Sequence, residues 1–100
     1  MKKNKLILGT VQFGMKYGIN NEKGKPSFKK VKDILDFAYL KGIRLLDTAE
    51  AYGDSQNRIG QYHKINSNKF NIITKFSTLR KDLSENIIER VNDNLTTLDV

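Results

Sequence analysis

The 100-residue chain has no cysteine, a single histidine and a single proline. Without cysteine there is neither a disulfide framework nor a thiolate metal site, and a reducing, cytoplasmic setting is expected. The lone histidine, His63, excludes a histidine-rich metal centre, so no metal is expected. Long apolar runs are also missing. The basic opening, with Lys2, Lys3 and Lys5, leads into only three apolar residues, Leu6 to Leu8, before Gly9, Thr10 and Gln12 interrupt. That is too short for a secretory core and far too short to span a bilayer. Two glycine motifs for phosphate are absent as well. No glycine-rich run ends in Gly-Lys-Ser/Thr, and GTVQFG, from Gly9 to Gly14, lacks the G-x-G-x-x-G spacing of a dinucleotide fold.

What is present is ordinary for a soluble globular chain: 38% apolar and 29% charged residues. One hundred residues make at most one domain, and a small one. The net charge of +7 is uneven, because residues 1–50 hold 11 basic and 5 acidic side chains while residues 51–100 hold 7 and 6. A lysine-rich face could attract an anion or a nucleic acid. Lysines without clustered arginines or interleaved aromatics are poor base readers, however, and a solvated surface is the simpler expectation; no nucleic-acid partner is expected.

Periodicity orders the chain as strand and helix in alternation. Lys5 to Phe13 reads as a buried strand, followed by glycines and the polar loop NNEKGKP. Ser27 is placed to cap a helix whose Val31, Ile34, Leu35 and Ala38 share one face, with Gly42 as its stop. Ile43 to Asp47 predicts a second strand. A short polar helix follows from Ser55 to about His63, with Ile59 and Tyr62 inward and His63 exposed. Phe70 to Phe76, rich in β-branched residues, predicts a third strand. Asp82 with Glu85 matches a capping box, and Ile87, Ile88, Val91, Leu95 and Leu98 form the apolar stripe of a last helix. The order β-α-β-α-β-α argues for an α/β fold with parallel strands: three units of a (β/α) barrel or of an open sheet.

In such folds functional side chains gather where strands end. Asp47 ends the second strand, Tyr52 stands in the loop beyond it, and Lys75 closes the third. Parallel strands bring all three to one end. A free phenol is a poor acid at neutral pH, and a nearby ammonium makes it a better one by favouring the phenolate. A carboxylate would pair with the lysine and hold it. The set is what a proton donor to a developing alkoxide requires. Each residue taken singly has a plainer use: a strand-end lysine in solvent, an aspartate capping a turn, a packed tyrosine.

The stretch GIRLLDTAEAYGDSQNRIG, Gly42 to Gly60, resembles the signature of the aldo-keto reductases, G-x-R/N-x-x-D-T-A/S-x-x-Y-G-x-S-E-x-x-L/I-G. LGTVQFG, Leu8 to Gly14, is similar to that family's first strand, and IITK, ending at Lys75, to its third. The resemblance runs over essentially the whole chain. It implies the first three β-α units of a (β/α)8 barrel and NADPH-dependent reduction of a small-molecule aldehyde or ketone by hydride transfer. Under it Tyr52 is the general acid, Lys75 the cation that eases its ionisation, and Asp47 the partner of Lys75. Gly9, Thr10, Val11 and Asp47 would then line the nicotinamide site. There are two local departures. Gln56 stands where the family has glutamate, with a modest effect on the loop expected, and Asp99 where it often has glycine.

The family's catalytic histidine, at the end of a fourth strand, and its phosphate-binding loops have no counterpart in residues 1–100. His63, in the helix after strand two, does not replace that histidine. The chain is therefore expected to be an N-terminal portion of such a barrel, with the remainder missing, and to be inactive alone. Two other readings stay open: a Schiff-base enzyme with Lys75 as nucleophile, and a non-catalytic module of the same family that senses the cofactor or binds a partner.

Overall fold

A computed structural model describes residues 5–16, 18, 24–77 and 87–100. Three short strands, β1 (Ile7–Gly9), β2 (Leu45–Asp47) and β3 (Asn71–Ile73), form one parallel sheet in the order β1-β2-β3. Ile7 is level with Leu45 and Asn71, and Gly9 is level with Asp47 and Ile73. Among the described residues four helices accompany them: α1 (Val11–Gly14), α2 (Phe28–Leu40), α3 (Ser55–Ile65) and α4 (Ile87–Leu98). No helix among the described residues is long and apolar enough to cross a membrane.

All three strands are shorter than their apolar runs. β1 was expected to reach Phe13, but the chain turns at Thr10, whose backbone N–H and hydroxyl both donate to the Asp47 carbonyl at 3.0 Å. Both bonds hold Thr10 at the strand end, and the chain leaves the sheet in the single turn of α1, which buries Phe13. β2 and β3 pair over three residues each, although ladder bonds run on beyond them. Thr48 N–H donates to the Ile73 carbonyl at 2.8 Å and Glu50 N–H to the Lys75 carbonyl at 3.1 Å. The sheet thus keeps its order past the formal strand ends, toward the residues of interest.

Helix α2 follows its sequence pattern closely. The Ser27 side chain accepts from the Lys30 N–H at 3.2 Å, and Val31, Leu35 and Ala38 are buried. Its end is a Schellman turn: Ile43 N–H reaches the Ala38 carbonyl, Gly42 N–H the Tyr39 carbonyl, and Gly42 takes φ +92°. Helix α4 ends in the same way, with Val100 bonded to Leu95 and Asp99 to Thr96. Here the left-handed position, at φ +57°, belongs to Asp99. The expectation that this site ordinarily takes glycine has this geometric basis.

The core is Phe13, Val31, Leu35, Leu46, Ile59, Tyr62, Phe70 and Leu98, with Leu8, Phe28, Ile34, Tyr39 and Ile72 packed at its rim. Ile59 and Tyr62 point inward as expected, but His63 does not lie on the surface: it is 1% exposed. Its Nδ1 lies 2.7 Å from the Leu98 carbonyl, and its Nε2 accepts from the Phe70 N–H at 3.2 Å. A carbonyl can only accept, so Nδ1 carries the proton and the ring is the neutral tautomer. Burial holds the imidazole below its ordinary value and Lys69 adds to this, while the Leu98 carbonyl and Asp99 oppose it. His63 therefore ties α3 to the entrance of β3 and to the end of α4.

The stripe predicted for α4 is also corrected. Of its members only Leu98 is buried; Ile88 is 75% exposed, and Ile87, Val91 and Leu95 are exposed too. The buried face is Arg90, Asn94 and Leu98. The apolar face borders a groove of about 290 Å³ beside β3, lined by Ile72, Phe76, Val91, Leu95 and Val100 among others. The spacing of the stripe was sound, but among the described residues nothing covers it. The capping box at Asp82 and Glu85 lies outside the described residues.

Candidate active site

The end of the sheet where all three strands point carries the polar groups. Asp47 is the last residue of β2, and Lys75 lies two residues beyond β3. Lys75 Nζ donates to Asp47 Oδ1 at 2.7 Å. The same nitrogen lies 5.3 Å from the centre of the Tyr52 ring. The three residues that the sequence singled out are thus brought together. The hydrogen bond it donates to Asp47 holds the Lys75 ammonium above its ordinary value, although burial lowers it; the Asp47 charge and Tyr52 act in the same upward direction. The ion pair is half open to solvent, with side chains 48% and 40% exposed. Such pairs contribute about 0–1 kcal/mol to stability. Its consequence is positional: it keeps a cation beside the phenol.

A buried knot of hydroxyls sets the loop that carries Tyr52. Ser55, at the start of α3, donates to the Thr10 carbonyl at 3.0 Å and lies 2.9 Å from the Thr10 hydroxyl; Thr48 Oγ1 is 3.1 Å from Ser55 Oγ. All three residues are fully buried. The knot joins the ends of β1 and β2 to α3. It also spends the Thr10 side chain inside the protein, so what Thr10 presents outward is backbone. Val11 is half-buried, and Gly9 is exposed at the strand end with no heavy atom within 4 Å of where a Cβ would stand. Gly14 closes the loop from the other side: a Cβ there would lie 2.9 Å from the Tyr52 carbonyl carbon and closer to its oxygen.

Behind the loop lies a second polar cluster. The Glu50 carboxylate accepts from Ser77 N–H at 2.8 Å and from Asn94 Nδ2 at 3.0 Å, and it pairs with Arg90. Burial pushes the Glu50 carboxyl up, but Ser77, Asn94 and Arg90 together outweigh it, and the group ends below its ordinary value. Gln56 donates to Asn94 Oδ1 at 3.0 Å and accepts from Thr74. The residue expected to have a modest effect on the loop is therefore a buried bridge between α3, β3 and α4. Thr48, Glu50, Arg90 and Asn94 escaped the sequence reading. Glu50 stands inside the quoted signature, which was the available signal. Arg90 and Asn94 share the i, i+4 spacing of Leu98 but sit on the polar face of an amphipathic pattern.

The model of the Aldo/keto reductase family matches residues 5–100. No curated protein matches the chain. Two solved structures from Pseudomonas aeruginosa, both assigned to the aldo-keto reductases, resemble it at 28% identity, with TM-scores of 0.75 and 0.72. Each is matched over 94% of this chain, which spans 38% and 36% of their own lengths. The three parallel strands and their helices are accordingly an incomplete (β/α) barrel. The chain belongs to the aldo/keto reductase family.

Proposed function

We propose that the chain serves the NADPH-dependent reduction of an aldehyde or ketone, with Tyr52 handing a proton to the developing alkoxide. In this reading Lys75 is the cation beside the phenol, and Asp47 fixes Lys75 in place. The observation that carries it is the single cluster at the strand ends: Lys75 bonded to Asp47 at 2.7 Å with its Nζ 5.3 Å from the Tyr52 ring. An ammonium at that place favours the charge that forms on the phenol as its proton leaves.

The open space beside Gly9, level with Asp47 in the sheet, fits the approach of a flat ring. Gly9, the Thr10 backbone, Val11 and Asp47 would hold the nicotinamide there. Bound NADPH supplies the hydride; the side chains of this chain supply the proton and the charge that steadies it. The apolar groove between β3 and α4 supports the view that residues 1–100 act as the first part of a barrel domain in which that face is covered, and that they do not turn over substrate alone. A cytoplasmic setting belongs to the same proposal and rests on the missing cysteines. Lys75 as a Schiff-base nucleophile is disfavoured, because that role needs a free amine and Asp47 holds the ammonium form.

The test is Tyr52→Phe in the protein that carries this stretch, with consumption of NADPH followed across a panel of aldehydes and ketones. Turnover should fall by about 10²–10⁴-fold, the range of general acid catalysis, with cofactor affinity held within about twofold. Retention of wild-type turnover would remove the proposal.

A further inference from the structure

The ladder between β2 and β3 does not simply stop at its end. Asn71 N–H donates to the Arg44 carbonyl, and Thr48 and Glu50 N–H groups donate to the Ile73 and Lys75 carbonyls. In a parallel ladder continued with the same offset, Ser77 N–H would reach the Glu50 carbonyl. Instead the chain turns after Ala49, with Tyr52 N–H on the Ala49 carbonyl, and the Glu50 side chain takes the Ser77 N–H at 2.8 Å. Glu50 thus grips the end of β3 twice, by its backbone at Lys75 and by its carboxylate at Ser77. Lys75 sits between the strand proper and that second grip, and Tyr52 is two residues from Glu50.

The carboxylate is itself fixed. Arg90 and Asn94, both on α4, bond to its two oxygens. Arg90 is 1% exposed, and its guanidinium carbon lies 4.9 Å over the Phe76 ring. Among the described residues its Nε and Nη1 find no hydrogen-bond partner. A buried ion pair of this kind, with side chains 1% and 7% exposed, is weak evidence for a purely stabilising role.

We propose that Glu50 is a positioning residue for the reaction assigned to Tyr52 and Lys75: its carboxylate, locked by Arg90 and Asn94, sets the end of β3 against the loop that carries the phenol. This rests on the function proposed above. Loss of the carboxylate lets the Ser77 backbone and the Tyr52 loop part, so the phenol and the ammonium lose their alignment while the cofactor residues of β1 stay in place.

The experiment compares four variants of the protein that carries this stretch. Glu50→Ala removes the clamp. Ser77→Pro deletes the N–H that the clamp accepts, together with the Ser77 hydroxyl, and leaves both members of the Glu50–Arg90 pair in the chain. The double variant Glu50→Gln with Arg90→Met keeps an acceptor for Ser77 without leaving a buried cation unpaired. Tyr52→Phe serves as the reference. Glu50→Ala and Ser77→Pro should each lower kcat about tenfold to a hundredfold, as expected for a misplacement below or near an ångström, with KM for NADPH within about twofold. The double variant, which restores the acceptor for Ser77 without the bonds that lock it, should recover part of the lost kcat. If Glu50→Ala does not fold, Ser77→Pro decides.

Wild-type kcat in Ser77→Pro overturns the positioning role, as does a double variant no better than Glu50→Ala. Retained turnover in Tyr52→Phe overturns this role together with the proposed function. A Tyr52→Phe variant without turnover, beside a fully active Ser77→Pro, overturns the positioning role alone.

Discussion

Replacing Gly14 by alanine should damage stability and turnover together. Gly14 ends α1 and lies against the backbone of the loop that carries Tyr52. An added Cβ would stand 2.9 Å from the Tyr52 carbonyl carbon, where ordinary contact begins at 3.4 Å, and closer still to the oxygen. It would also crowd the Ser55 amide, on the residue that anchors the hydroxyl knot. All of these atoms are backbone, so no side chain can swing aside, and the Tyr52 oxygen, the nearest of them, must retreat by more than an ångström. Overpacking of this kind costs about 1–3 kcal/mol. The helix-propensity gain from glycine to alanine, at most about 1 kcal/mol, is smaller at the last residue of a four-residue helix. The net effect expected is a loss of about 1–2 kcal/mol, read as a lower urea midpoint at unchanged slope. Displacing Tyr52 by that much should also lower kcat on the order of tenfold. A Gly14→Ala protein with both the wild-type midpoint and the wild-type kcat would refute the packing argument. A lowered midpoint with kcat intact would show that the loop absorbs the methyl without moving the phenol.

Gly60→Ala provides the contrast. Its Cβ would meet the α4 backbone, 2.9 Å from the Thr97 carbonyl carbon and 3.3 Å from Leu98 Cα, so the unfolding free energy read from the urea midpoint should fall by about 1–2 kcal/mol while kcat per folded molecule is unchanged. His63 should make stability depend on pH. Its folded value is depressed, so stability is full above the unfolded value of about 6.5 and is lost as pH falls below it, with a limiting slope of about 1.4 kcal/mol per pH unit. As it is the only histidine, His63→Asn should flatten the urea midpoint between ~pH 7 and ~pH 5; an unchanged slope in that variant would remove His63 as the source.

The sequence made legible whatever depended on residue type at a fixed spacing. Ser27, Gly42 and the Val31–Leu35–Ala38 face were readable because caps, stops and helical faces are local. The approach of Asp47, Tyr52 and Lys75 was readable because parallel strands of similar length bring their ends to one side, and the residue types at those ends were chemically unusual. His63 was not, because its partners are the backbone groups of Leu98 and Phe70, which every residue offers alike. The early end of β1 was hidden for the same reason: the chain turns into α1 through Phe13 N–H on the Thr10 carbonyl, while the Thr10 hydroxyl closes on the Asp47 carbonyl, and a threonine at that place gives no sign of it.

Helix α4 shows why an amphipathic pattern can mislead about the face that matters. Its apolar stripe is real, and it lines the open groove beside β3. The adjoining face, Arg90, Asn94 and Leu98, shares Leu98 with the stripe, and it is this face that is buried. A hydrophobic stripe reports which side of a helix avoids water, not which side meets the rest of the described structure. Where a helix packs against a loop that bears reactive groups, the contact must satisfy backbone N–H groups such as that of Ser77 and charges such as that of Glu50. Polar side chains are required there, and a periodicity built on apolar residues does not pick them out. In this fold that contact is made by the buried Arg90 and by Asn94, both bonded to Glu50.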